Sequence, residues 1–342
     1  MKIKLRPLDE QVIVITGASS GIGLATAYEA ANKGAKLVLA ARSEEDLDRI
    51  TQEINSKGGE AIFVVADVGK QEDVEKIAAA AKTYFGGFDT WVNDAGVSIY
   101  GRLEKVSDED NRRLFDTNFW GVVYGSLVAA RELKQRGGAI INIGSELSDL
   151  AIQIQGMYSA SKHAVKGFTD ALRIELEEEG APVAVTLIKP AGINTPYTEH
   201  AKNYMDKAAT LPPPVYKPEE VAYAILKAAV KPYRDIPVGG ASKMMGTLNQ
   251  IIPSAMDLMS EKMMGDMQQK EGRRYTSDGL HHAAGGGRVH GDYEGMTMRS
   301  AYTRAVLNPV VTSVIALAAA AGLALLLGGS GDRSRVAIED EY

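Results

Sequence analysis

Val12-Ile13-Val14-Ile15-Thr16-Gly17-Ala18-Ser19-Ser20-Gly21-Ile22-Gly23-Leu24-Ala25-Thr26-Ala27 decides the fold class of this chain. Its first four residues are an apolar run rich in β-branched side chains, which reads as a strand buried on both faces. From Leu24 to Ala30 the composition is that of a helix. Between them Gly17, Gly21 and Gly23 stand in G-x-x-x-G-x-G spacing. Glycines in that context let backbone N–H groups and a helix N-terminus face a pyrophosphate. The spacing is not the G-x-G-x-x-G of the longer dinucleotide-binding domains.

Outward from this turn the pattern repeats. Apolar runs recur near 12–15, 36–40, 61–65, 89–93, 139–143 and 183–189, with helical patterns between them, and a last strand is expected at Asp235–Val238. Alternating strands and helices with buried strands predict an α/β fold: a doubly wound, Rossmann-type parallel sheet of seven strands covered by helices on both faces. The chain has 342 residues, more than one such domain needs, and its 45% hydrophobic content suits a large core. A net charge of −6 without a basic cluster argues against a nucleic-acid partner. The chain has no cysteine, so disulfides and thiolate zinc sites are excluded. His281, His282 and His290 fall in a Gly-rich stretch and read as solvated rather than metal-ligating, so no metal is expected.

The chemistry concentrates at Tyr158 and Lys162, four residues apart and therefore on one face of a helix. An ammonium there favours the phenolate and lowers the pKa of a hydroxyl that otherwise titrates near ~10. Such a phenol can pass a proton to or from a substrate oxygen. Ser145 follows the apolar run Ala139–Ile143 and so belongs at a strand's carboxyl end, where open α/β sheets bind ligands.

These motifs, in this order, resemble the short-chain dehydrogenase/reductase family, in its single-domain branch. The likeness runs from Leu8 to Gly240 and rests on Thr16–Gly23, Asp67-Val68, Asn93-Asp94-Ala95-Gly96, Asn118, Ser145, Tyr158/Lys162 and Pro190–Thr195. The resemblance implies a nicotinamide dinucleotide cradled by Gly17, Ser19, Ser20, Gly21, Ile22 and Gly23. It places Asp67 and Val68 at the adenine, and Asn93, Ala95 and Gly96 along the cleft. Pro190, Ile193 and Thr195 fall at the nicotinamide. It makes Tyr158 the general acid/base and gives Lys162 both the phenol and the nicotinamide ribose. Ser145 polarises the substrate oxygen, and Asn118 holds a proton-relay water. Two positions depart from the pattern: Asp94 stands where a second Asn is usual, and Ala191 separates Pro190 from Gly192. Family resemblance also implies a homodimer or homotetramer.

Cofactor choice is read from the end of the second strand. Lys36–Ala41 ends without the acidic residue that binds a ribose 2′-hydroxyl, and Arg42 follows at once. A guanidinium matches a 2′-phosphate, so NADP(H) is expected over NAD(H).

Beyond the 1–240 catalytic domain, four segments are expected: a Met-rich helical extension at 241–270, a flexible linker at 271–304, a transmembrane helix at 305–328 and a polar tail at 329–342. Met256, Met259, Met263 and Met267 share one helical face, suited to an adaptable apolar pocket mouth or to packing. Val310–Leu327 is uncharged, with Thr312 and Ser313 its only polar members, and reaches the length of a membrane span. The sequence thus predicts an NADP(H)-dependent oxidoreductase interconverting an apolar ketone or aldehyde and an alcohol. It would be membrane-anchored, with the catalytic domain facing the cytoplasm. The competing classes are an epimerase or dehydratase of the same family, and a cofactor-binding scaffold on a membrane tether.

Overall fold

Val12–Thr16 (β1) is buried along its whole length, and the rest of the fold is laid out around it. A computed structural model of the protein describes residues 3–272, 278–309 and 312–313. After β1 come α1 (Gly21–Ala31), β2 (Lys36–Ala41), α2 (Glu44–Ser56), β3 (Glu60–Val65), α3 (Gln71–Phe85) and β4 (Thr90–Asn93). They are followed by α4 (Asp108–Phe115), a π-helical turn Asp116–Trp120, α5 (Gly121–Arg136) and β5 (Gly138–Ile143). Then come α6 (Gly156–Glu178), β6 (Val183–Pro190), α7 (Pro218–Val230) and β7 (Asp235–Val238). The seven strands form one sheet in the order β7-β6-β5-β4-β1-β2-β3. Every pairing in it is parallel. All seven strand runs read from the sequence are therefore in place.

The two faces of β1 separate two cores, because successive strand side chains point opposite ways. Ile13 and Ile15 join Leu24, Ala27 and Ala30 of α1 and Val221, Ala224, Ile225 and Ala228 of α7. Val12 and Val14 join Val74 and Ile77 of α3, Trp91, and Val128 and Leu133 of α5. Each fully buried Val, Leu or Ile contributes roughly 1.5–3 kcal/mol, which makes this two-sided burial the main term holding the sheet. β1 pairs with β2 on one side and β4 on the other, so the strand order reverses there. The crevice at that reversal, beyond the strands' carboxyl ends, is where such sheets take ligands.

The C-terminal part departs from expectation. α8 (Gly240–Ile251) and α9 (Pro253–Met259) continue the chain, and none of Met256, Met259, Met263 and Met267 lines the cleft described below. Met256 is buried and Met263 is half exposed, whereas Met245 and Met264 pack towards Leu147, Leu150, Ile152 and Tyr158. Residues 278–304, expected within a flexible linker, are docked on the domain. Lys202–Asp278 (2.6 Å), His281–Asp110 (2.6 Å) and His290–Glu219 (2.9 Å) pair across the join, and Arg288 pairs with Glu199. Two of the three histidines read as solvated are thus bonded to carboxylates. Thr297–Met298 adds a short parallel pairing beside Val215–Tyr216. Ion pairs and backbone bonds of this kind leave no periodic trace in a sequence, which is why the stretch reads as linker.

The segment expected to cross a membrane begins inside a docked helix. α10 (Ala301–Leu307) is capped by Ser300, and the Arg304 guanidinium bonds Glu220 and stacks 4.0 Å from the Tyr223 ring. Among the described residues no helix is long and apolar enough to cross a membrane. Apart from Thr312 and Ser313, the run 310–327 lies outside them, as does the polar tail.

Candidate functional site

A cleft opens at the sheet's reversal point, and most of the expected site residues line it. Gly17, Ser19, Ser20, Gly21 and Ile22 form one end with Arg42, Asp67 and Val68. Ala95, Gly96, Ser145, Tyr158, Lys162, Pro190, Ile193 and Thr195 form the other. The glycine turn is as close as its spacing implies. A Cβ on Gly17, whose φ is +74°, would stand 2.8 Å from the Ala95 backbone, and one on Gly23 would stand 2.3 Å from the Gly17 carbonyl oxygen. Only glycine lets α1 start this near the strand ends.

Three expected residues do not line the cleft. Gly23 packs beneath the turn and donates its N–H to the Asp94 carboxylate. The Asn93 amide is spent in a buried network with Trp91 (2.8 Å), Ser126 (3.1 Å) and Asn142 (2.8 Å). Asn118, in the π-helical turn, accepts from the Val97 N–H at 2.8 Å and donates to the Val97 carbonyl at 3.0 Å. These residues hold the cleft's floor from below.

Tyr158 and Lys162 project from the first turns of α6. The Tyr158 hydroxyl is hydrogen-bonded to Ser145, which follows β5, and to Tyr197. The Ser145 hydroxyl is fixed by the neighbouring backbone: it caps a short helical turn, accepting from the Leu147 N–H at 3.1 Å. Tyr197 is held in turn by Ser98 (2.7 Å) and Gln155 (2.9 Å). Lys162 donates to the Ile143 carbonyl at 2.8 Å and lies 5.6 Å from the Tyr158 ring centre.

Burial dominates the electrostatics. It pushes the Tyr158 phenol up to about 12, against the opposing bonds from Tyr197 and Ser145. The sequence-based expectation of a phenol tuned toward neutrality is thus not met in this arrangement. Burial also brings the Lys162 ammonium down to about 8, with nearby Asp94 opposing. Asp94 itself is raised to about 7 by burial, despite Lys162 and the Gly23 N–H. Glu146, which the sequence reading passed over, lines the cleft next to Ser145 and is likewise raised to about 7 by burial. No hydrogen-bond or ion-pair partner for its carboxyl is found among the described residues.

At the cleft's far end Arg42 is not alone. Arg113, on α4, bonds Asp67 at 2.7 Å and lies close enough to Arg42 that the two cations repel. Burial and that repulsion lower the Arg42 pKa. Two guanidiniums are thus brought together beside the Asp67 carboxylate. Arg113 belongs to none of the motifs, so no local signal marks it.

The short chain dehydrogenase family model matches residues 11–206, more than half of the chain. The protein is a short-chain dehydrogenase/reductase. It is 48% identical over 320 residues to an uncharacterised oxidoreductase, YxnA, of Bacillus subtilis. That match spans 92% of this chain and 90% of the relative, and so takes in the docked stretch at 278–291. Among solved structures, a short-chain dehydrogenase/reductase from Burkholderia phymatum in complex with NAD is 28% identical at a TM-score of 0.63, covering 79% of this chain and 99% of that one. An alcohol dehydrogenase from Thermococcus sibiricus, complexed with 5-hydroxy-NADP, is 28% identical at a TM-score of 0.59, covering 67% and 95%. As a short-chain dehydrogenase/reductase, the protein is an oxidoreductase acting on the CH–OH/C=O couple of small molecules.

Proposed function

We propose that this enzyme is an NADP(H)-dependent carbonyl reductase in which Tyr158 supplies the proton. The glycine turn, the N-terminus of α1 and the cleft walls fit a dinucleotide, and Arg42 with Arg113 fit a 2′-phosphate better than a hydroxyl. When bound, the nicotinamide supplies or accepts hydride at the substrate carbon. The remaining work falls to the chain's own side chains. Ser145 and Tyr158 hold the substrate oxygen between two hydroxyls. Lys162, beneath the phenol and fixed on Ile143, holds a positive charge against the developing phenolate. Tyr197, whose ring meets that of Tyr158 edge to face, orients the phenol.

A phenol at about 12 is protonated throughout the neutral range, which suits donation to a carbonyl oxygen and hence reduction. The bond between Tyr158 and Ser145 at the mouth of the cleft carries this reading. Leu147, Ile152, Leu211 and Pro212 give the substrate end an apolar wall, with the Glu146 carboxyl set into it. This favours a largely apolar carbonyl compound that bears one hydrogen-bond donor. Exposed Trp120, Leu127 and Ile174 on and before the two long helices α5 and α6 support assembly with a second copy.

The test is initial-rate consumption of NADPH and NADH with a panel of cyclic and aromatic ketones. NADPH-linked turnover well above the NADH-linked rate is expected. Absence of turnover with either cofactor across the panel overturns the reading.

A further inference from the structure

The donors assigned to the cofactor's phosphates already have partners in this chain. Residues 278–291 run over the adenosine half of the cleft, with Gly279, Ala283 and Ala284 on its lining. The Leu280 carbonyl oxygen lies between the two guanidiniums, 3.0 Å from Arg42 and 3.1 Å from Arg113, and the Gly279 carbonyl takes a second Arg42 N–H at 2.5 Å. The Arg288 carbonyl oxygen accepts the N–H of Gly21, the first residue of α1, at 3.0 Å. These are a pair of cations and a helix N-terminus, the two kinds of group that bind phosphate oxygens, and each holds a neutral carbonyl in that place.

Resting on the NADP(H) reading above, we propose that 278–291 is a strap that competes with the dinucleotide: its Leu280 and Arg288 carbonyls occupy the 2′-phosphate and pyrophosphate seats and leave them when the cofactor enters. The strap's build fits an exchange of this kind. Its ends are anchored, by Lys202–Asp278 and His281–Asp110 on one side and by His290–Glu219 and the Arg288–Glu199 pair on the other. Its middle, Ala283-Ala284-Gly285-Gly286-Gly287, carries no side chain large enough to lock it down. Gly286 and Gly287 take positive φ values of 119° and 42°, so the turn depends on glycine and reshapes at little steric cost. A carbonyl bears only a partial charge, and a doubly charged phosphate binds a guanidinium pair more strongly. The exchange therefore runs toward cofactor, at the expense of the free energy of strap docking.

The seat's occupancy sets an apparent affinity. A cofactor that binds only the lifted state has its dissociation constant multiplied by the inverse of that state's population. Loosening the strap must then tighten binding, whereas damage to an ordinary cleft wall weakens it. Two substitutions loosen it while leaving the Arg42 and Arg113 guanidiniums in place. Asp278→Asn removes the 2.6 Å pair with Lys202. Gly279→Ala puts a methyl group 2.5 Å from the His200 carbonyl oxygen, so the docked strap must shift.

The experiment is equilibrium titration of the full-length wild type and both variants with NADPH and with NADH, read by the reduced nicotinamide's fluorescence, with circular dichroism to show that each variant is folded. We expect the NADPH dissociation constant to fall by about threefold or more in each variant. The NADH gain should be smaller, because only the 2′-phosphate profits from the freed Arg42–Arg113 seat. Should Gly279→Ala fail to fold, Asp278→Asn decides alone. NADPH binding that is unchanged or weaker overturns the strap as competitor. Equal gains for both cofactors overturn the assignment of the Leu280 carbonyl to the 2′-phosphate seat. If wild type and variants all bind neither cofactor, the NADP(H) reading falls, and the strap proposal with it.

Discussion

The Tyr197 hydroxyl is hydrogen-bonded to the Tyr158 hydroxyl, and the two rings meet edge to face with centres 5.6 Å apart. Tyr197 comes from the segment after β6, so the proposed acid is oriented by an element outside its own helix. Removing that bond leaves the phenol with Ser145 alone in a partly buried site. We predict that Tyr197→Phe lowers kcat by about tenfold, the value of one oriented hydrogen bond to the reacting group, with a smaller change in KM for the cofactor. Steady-state kinetics with a single ketone check this.

Arg42 and Arg113 both donate to the Leu280 carbonyl oxygen, although they lie 71 positions apart in the sequence, and together they are the proposed 2′-phosphate seat. Replacing either by alanine should weaken NADPH binding by roughly tenfold to a hundredfold, as expected for loss of a charge-assisted bond, and NADH binding much less. Titration of each variant with both cofactors supplies the ratio. If both cofactors weaken equally, the seat does not read the 2′-phosphate.

Asp94 gives stability a pH dependence whose sign follows from its raised pKa. An unfolded aspartate ionises near 3.8, whereas this one holds its proton to about 7. Between those values the native state binds a proton that the unfolded state has released, so stability is lost as pH rises through that window. Asp94→Asn removes the loss and keeps an oxygen to accept the Gly23 N–H. The variant should gain about 1–2 kcal/mol over the wild type at pH 8, discounting the full shift for solvent in the cleft, and nearly nothing at pH 4. Thermal or urea unfolding at the two pH values measures the difference.

Glu146 predicts selectivity. A carboxyl without a partner among the described residues, set in a largely apolar wall, disfavours a purely hydrocarbon substrate and favours one that donates a hydrogen bond to it. Glu146→Leu should shift preference, as the ratio of kcat/KM values for a plain and a hydroxyl-bearing ketone, by about tenfold or more toward the plain one. An unchanged ratio would place the carboxyl away from the substrate.

How much of this was legible beforehand follows from where each signal resides. The strands were readable because burial on both faces forces continuous apolar runs, such as Val12–Ile15 and Ala139–Ile143. Ser145, Tyr158 and Lys162 were readable because their chemistry is tied to short spacings. A motif does not tell which way a side chain points, and so Asn93 and Asn118, expected at the cofactor and at a relay water, turn out to bond Trp91 and Val97. Arg113, Tyr197 and the strap were hidden for another reason. They reach the site by tertiary closure, through ion pairs and backbone bonds that impose no periodicity on the chain. Lowering of the phenol's pKa by Lys162 was a pairwise expectation, and burial of the whole site outweighed it.

The central claim is that the Tyr158 hydroxyl delivers the proton to the substrate oxygen. Its most direct test is Tyr158→Phe, which keeps the ring and removes the donor: the rate of NADPH-linked ketone reduction, measured beside the NADPH dissociation constant. The account predicts a fall in kcat of about a hundredfold to ten-thousandfold, the usual worth of a positioned general acid, with cofactor binding nearly unchanged. A Tyr158→Phe variant that turns over at close to the wild-type rate would contradict it.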